Sequence, residues 1–176
     1  MRILCARRTE RAGRIWEHEG LRRVRRAGTS LPRGVKVGKI LTGKPVVPGS
    51  AEGAALVSSE PLSFWGGISP LTGEVIDRRH GLSGAIVTGK VFVLPTGKGS
   101  STSSAVLLES IRTGAAPAAI INLRVDPILA LGSIVADELY GQTIPIVVLP
   151  EKDFFSIKQD DYLVIKPDGK ILVNAK

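Results

Sequence analysis

The stretch Val91-Phe-Val-Leu-Pro-Thr-Gly-Lys-Gly-Ser-Ser-Thr-Ser-Ser-Ala-Val-Leu-Leu-Glu-Ser-Ile111 decides the fold class of this chain. An apolar run breaks at Pro95, crosses two glycines and enters a helix through hydroxyl residues. Such a step leaves backbone N–H groups free to meet an anion at the helix entrance. Gly97 and Gly99 permit a tight turn with positive φ, Lys98 adds a cation, and Ser100 or Ser101 can cap the helix through the N–H two or three residues on. Two readings follow: an anion-binding site, or a capped helix after a glycine turn. A nucleotide-binding P-loop is excluded, because its Lys follows the second Gly directly, whereas Lys98 lies between the glycines.

Downstream the pattern continues. Ala118-Ala-Ile-Ile-Asn-Leu123 suits a buried parallel strand, Pro127 to Tyr140 reads as a helix ending at Gly141, and Ile144-Pro-Ile-Val-Val-Leu149 is the next strand. Strand, helix, strand, helix, strand implies two right-handed crossovers in a three-layer or barrel-plus-helices arrangement. Tyr162-Leu-Val-Ile-Lys166, then Pro-Asp-Gly, then Lys170-Ile-Leu-Val-Asn174 forms a hairpin.

Upstream, Val35 to Leu41 alternates as a strand does, Lys44-Pro-Val-Val-Pro-Gly49 reads as a turn, and Gly53 to Ser58 resumes the β pattern. Between Ser59 and Gly84 lies a long loop rich in Gly, Pro, Ser and charge, a length more often functional than idle. Phe64 and Trp65 are expected to anchor it, with Gly66 and Gly67 allowing close backbone approach. Asp77 and His80 are read as a solvated pair, since one His without a neighbouring ligand is weak grounds for a metal.

The formal net charge of +8 would suggest nucleic acid, but its distribution argues otherwise. Residues 1–34 hold ten arginines and three glutamates, which leaves 14 basic and 13 acidic residues in the rest. Nucleic-acid binding is therefore excluded for residues 35–176, which also have few aromatics to stack bases. Residues 1–34 are read as a basic leader, either a disordered arm, an organelle presequence or sequence upstream of a start assigned too early. The last is preferred, because Glu10, Glu17 and Glu19 do not suit a presequence. The leader has neither a sustained apolar period nor a secretory core, so no membrane segment is expected. The sole cysteine, Cys5, lies in it, leaving residues 35–176 without a thiol for a disulfide or a cysteine-bound cluster. No metal site is expected on this chain, and cytoplasmic location is the simple inference.

Several motifs together carry a family resemblance: Glu60-Pro-Leu-Ser-Phe-Trp-Gly-Gly67, Thr72-Gly-Glu-Val-Ile-Asp77, Gly97-Lys-Gly-Ser-Ser101, Gly114-Ala-Ala-Pro-Ala118 and Gly132-Ser-Ile-Val-Ala136. In this order they resemble the small subunit of the aconitase X family, from Val35 to Pro150. The segment beyond Pro150 has no counterpart in the resemblance and is read as a dock for a large subunit. The resemblance implies an α/β fold, a swivelling β/β/α domain with a small β barrel or sandwich layer and helices, like the mobile fourth domain of aconitase. It further implies a large-subunit partner carrying an iron–sulfur cluster, and dehydration of a small hydroxy acid, cis-3-hydroxy-L-proline or (R)-5-phosphomevalonate. Lys98 where many relatives have Arg, and Ser103 where Gly is expected, depart from the pattern. The Ala136-Asp-Glu-Leu-Tyr140 and Ile144–Leu149 segments lean towards the bacterial hydroxyproline branch.

By the same resemblance Ser100 matches the family's catalytic serine, with Gly97, Lys98, Gly99 and Ser101 as substrate-binding neighbours. Dehydration needs a base for the proton on carbon and a Lewis acid for the departing hydroxide; this chain offers only the first. A serine is a weak base at its ordinary pKa, so a cation is expected beside it, either Lys98 or an Arg of the large subunit. A phosphohistidine carrier of similar shape needs a His where Ser100 stands. A non-catalytic scaffold or anion-binding subunit is the alternative.

Overall fold

The computed structural model describes residues 38–174. The leader over residues 1–34, and the domain start read at Val35, lie outside the described residues. The elements in chain order are β1 (Lys39–Thr42), β2 (Lys44–Val47), β3 (Ala51–Val57), β4 (Val91–Leu94), α1 (Thr102–Thr113), β5 (Ala119–Asn122), α2 (Pro127–Tyr140), β6 (Ile146–Val148), α3 (Glu151–Phe154), β7 (Tyr162–Ile165) and β8 (Lys170–Asn174). No helix among the described residues is long and apolar enough to cross a membrane.

The eight strands form one strip in the order β1-β8-β7-β3-β4-β5-β6-β2. β3 links its halves: Ala51 to Ala54 pair antiparallel with β7, and Ala55 to Val57 pair parallel with β4. β4, β5 and β6 continue in parallel, joined by α1 and α2 as crossovers. At opposite ends of the strip stand β1 and β2, yet only Gly43 separates them in the chain. The strip must therefore curl until its ends meet, giving a small barrel. A Cβ on Gly43 would lie 2.4 Å from Val147 Cγ1, and the Gly43 amide donates to Gly169 O at 3.0 Å, so the joint touches both β6 and the β7–β8 turn.

Alternation along the parallel strands sorts the core into two layers. Val91, Val93, Ala119, Ile121 and Val147 face inward with Leu163, Ile165, Ile171 and Val173 from the hairpin. Phe92, Leu94, Ile120 and Ile146 face the other way, against Leu107 and Ile111 of α1 and Leu129 and Ala136 of α2. The result is the layered β/β/α fold expected.

Two readings of the sequence need correction. Lys44 to Gly49 is not simply a turn: Lys44 to Val47 is a strand on β6, where Pro45 is tolerated because β2 ends the strip and has no second neighbour to serve. The register shifts between Pro45 and Val47. The segment after Pro150 is not an appendage but part of the fold: β7 and β8 line the barrel, and Phe154 and Ile157 are buried in it.

Candidate active site

Because β4 and β5 run in parallel, the loops that follow them open at the same edge of the sheet, where open α/β sheets bind ligands. They enclose a cleft of about 210 Å³, lined by Thr96 to Ser100, Val125 to Leu129, Phe64 and Ser103. Gly97, Lys98, Gly99 and Ser100 thus line one cleft. Ser101 does not line the cleft; it is the exposed residue at which α1 begins. A larger hollow of about 510 Å³ opens beside Thr42, Lys44, Arg124 and Glu151. None of the expected residues lines it, and the smaller cleft, lined by the Ser100 loop, is the candidate site.

The glycines divide the work differently from the sequence reading. Gly99 has φ +92°, but Gly97 is not among the positive-φ residues. Gly97 is needed for close approach instead: a Cβ there would stand 2.3 Å from Asp126 Oδ2, which accepts the Gly97 N–H at 2.8 Å. The next amide, Lys98, donates to Leu62 O at 3.2 Å. The amides of Gly99, Ser100 and Ser101 find no acceptor among the described residues. The Lys98 side chain is exposed and makes no ion pair among the described residues.

Ser100, not Ser101, takes the capping bond. Its Oγ accepts the Thr102 N–H at 3.0 Å and lies 2.9 Å from Thr102 Oγ1, while its carbonyl accepts the Ser103 N–H at 3.0 Å. Ser101 makes no side-chain capping bond. Buried Ser103 accepts the Trp65 N–H at 3.3 Å, tying the long loop to α1.

That loop differs from expectation at two places. Phe64 is buried against Phe92, ring centroids 6.4 Å apart, but Trp65 is 59% exposed and anchors nothing with its indole. Gly67 does have backbone against it, with a Cβ only 2.0 Å from Ser63 O, whereas Gly66 supplies a positive φ of 72°. His80 is not solvated: it is 5% exposed, with Nε2 near Ser58 Oγ and Nδ1 accepting the Leu82 N–H at 3.1 Å. Asp77 Oδ1 accepts the Arg79 N–H instead of facing the imidazole.

Sequence reasoning missed Asp126, whose carboxylate caps α2 and reaches the Gly97 amide. The signal was present, since Asp followed by Pro at the start of an apolar period is an N-cap and first-turn pair.

Comparisons with known proteins agree with this architecture. A crystal structure of Thermococcus kodakaraensis aconitase X in its holo form superposes with a TM-score of 0.71 at 35% identity, covering 78% of this chain and 100% of that one. The cis-3-hydroxy-L-proline dehydratase of Pseudomonas aeruginosa is 48% identical over 118 residues, 67% of this chain but 20% of the relative. The phosphomevalonate dehydratase small subunit of Methanosarcina mazei is 42% identical over 133 residues, 76% of this chain and 83% of the relative. The chain thus spans about a fifth of the hydroxyproline enzyme and most of the small subunit. The sequence model of the aconitase X swivel domain matches residues 40–173, through β7 and most of β8, and with the strip, crossovers and cleft just described the chain belongs to that family.

Proposed function

We propose that the chain is the small subunit of a hydro-lyase that removes water from a small hydroxy acid, with the swivel domain taken as residues 35–176. Ser100 acts as the base for the proton on carbon, and the substrate is cis-3-hydroxy-L-proline or (R)-5-phosphomevalonate, the two substrates named by the relatives' activities. The observation that carries the reading is the Ser100 hydroxyl, exposed in the cleft and receiving the Thr102 N–H at 3.0 Å. An alkoxide there would keep that bond, gain the Thr102 hydroxyl as a donor, and lie at the positive end of α1. Beside it, the amides of Gly99 and Ser100 and the Lys98 ammonium can hold a substrate anion, with Ser101 next to them at the cleft's edge. The sequence leans to the hydroxyproline substrate, but identity does not choose between the two, since the hydroxyproline relatives match at 42–48% and the phosphomevalonate relatives at 41–44%.

The family implies an iron–sulfur cluster, which cysteine thiolates hold. Residues 38–174 contain no cysteine and no group of three His, Cys, Asp or Glu side chains that could hold a metal ion. They do not fit the group, and we assign it to a large subunit, with the assembled enzyme placed in the cytoplasm.

A scaffold role is favoured by one observation: the same Ser100 bonds are those of an ordinary cap. Ser100→Ala in the assembled enzyme separates the two readings, with both substrates assayed. Either way the lost cap costs about 1 kcal/mol of stability. As the base, Ser100 also carries turnover, and its removal lowers kcat by about 10²-fold or more, while Ser101→Ala leaves kcat in place. Normal turnover in Ser100→Ala returns the loop to architecture.

A further inference from the structure

We infer that Asp126 is the positioning residue of the Ser100 loop, an inference that rests on the reading of Ser100 as the base. Asp126 is 6% exposed and stands between β5 and α2. Its Oδ1 accepts the N–H groups of Ile128 at 3.0 Å and Leu129 at 3.1 Å, which is all a helix cap requires. Its Oδ2 does something a cap does not. It crosses to the neighbouring strand–helix loop and accepts the Gly97 N–H at 2.8 Å, 29 residues away in sequence.

A buried carboxylate is costly unless hydrogen-bonded, and Asp126 has no ion pair among the described residues. Three backbone N–H donors and the positive end of α2 offset that cost. The loop side is cut to match, since any Cβ on Gly97 would occupy the position of Oδ2. With Lys98 N–H held by Leu62 O, two consecutive amides of the loop are fixed, one by Asp126 and one by Leu62. Ser100 follows three residues after Gly97, across the left-handed Gly99. The carboxylate therefore joins both strand–helix loops into one unit and sets where the Ser100 hydroxyl stands. Both its oxygens are engaged by backbone, so it acts through Gly97 and not on the reacting atoms.

The test is Asp126→Asn in the full chain, with and without its large subunit. Asn caps helices as well as Asp does, so a residue that only caps would leave stability and turnover unchanged. As a positioning residue, the variant turns its amide NH₂ towards the Gly97 N–H, two donors face each other, and the loop shifts. Hydrogen exchange of the Gly97 amide, followed by NMR, then speeds up by about tenfold or more, and kcat falls by about tenfold to 10²-fold. Asp126→Ser, which keeps a cap but cannot span to Gly97, gives the same two results. Unchanged Gly97 exchange, or wild-type kcat in either variant while Ser100→Ala is inactive, overturns the inference. Normal turnover in Ser100→Ala removes the base assignment and with it the catalytic part of this inference, while Gly97 exchange still reports whether Asp126 holds the loop.

Discussion

Ser58 Oγ stands 3.3 Å from Nε2 of buried His80, joining the end of β3 to the far side of the long loop. His80 Nδ1 accepts the Leu82 N–H, which assigns the ring proton to Nε2, and Ser58 in turn donates to Glu60 O at 2.6 Å. This chain of bonds shapes Ser58 to Glu60, two residues before Leu62, whose carbonyl accepts the Lys98 amide. His80→Ala takes the acceptor from the half-buried Leu82 N–H and empties the buried space beside Ser58, and is expected to cost about 1–3 kcal/mol, read by urea denaturation. A change below about 0.5 kcal/mol, the level of an ordinary surface substitution, would show that the imidazole is dispensable to the loop.

Adjacent aromatic residues should behave oppositely. Phe64 fills the helix-side core and Trp65 stands in solvent. Phe64→Ala is expected to cost about 3–5 kcal/mol, and Trp65→Ala about 0.5 kcal/mol or less. Thermal melts of the isolated chain decide this; equal costs would mean that the indole packs.

Helix propensity and packing oppose each other at Gly132. Ala in mid-helix is favoured over Gly by about 1 kcal/mol, but a Cβ there would meet Ser104 O at 2.6 Å and Leu107 Cβ at 3.2 Å across the α1–α2 contact. The rigid backbone atom should win, so Gly132→Ala is expected to destabilise by about 1–3 kcal/mol. Denaturant titration checks the sign, and a stabilised variant would mean that the helices separate easily.

The β7–β8 turn carries a pH dependence. The Lys170 ammonium, 2.7 Å from Asp168 Oδ2, holds the Asp168 carboxyl below its ordinary value, helped by the Lys170 N–H on Oδ1. A carboxyl with a lower pKa folded than unfolded stabilises above the unfolded value, about pH 4, and that contribution is lost as pH falls through the folded value. Both groups are exposed, so salt screens the pair. The difference in melting temperature between wild type and Asp168→Asn should be positive at neutral pH, shrink in acid, and shrink at high salt. A gap that widens in acid would reverse the assignment.

Much of this was legible in the sequence. The bounds of α2 were readable because Pro at its start and Gly at its end both act locally, and the hairpin because Pro-Asp-Gly leaves the backbone few choices. What escaped depended on contacts distant in the chain. Pro45 looks like a breaker until β2 is known to end the strip; His80 looks solvated until Ser58 is known to lie beside it. Gly97 and Gly99 look alike in sequence. Only the position of Asp126 shows that one serves proximity and the other backbone hand.

The pairing of β1 with β8 places the first described strand against the last, Lys39 opposite Val173 and Thr42 opposite Lys170. A chain emerging from the ribosome from its N-terminus can assemble the β4–α1–β5–α2–β6 crossovers as they appear, but it cannot close the barrel until about residue 174 is free. Until then Leu41, Ala55 and Val91 have no hairpin to cover them. The most sticky moment in the life of this protein therefore lasts until β8 has left the ribosome, and a chain broken off before Lys170 would leave an open, aggregation-prone sheet.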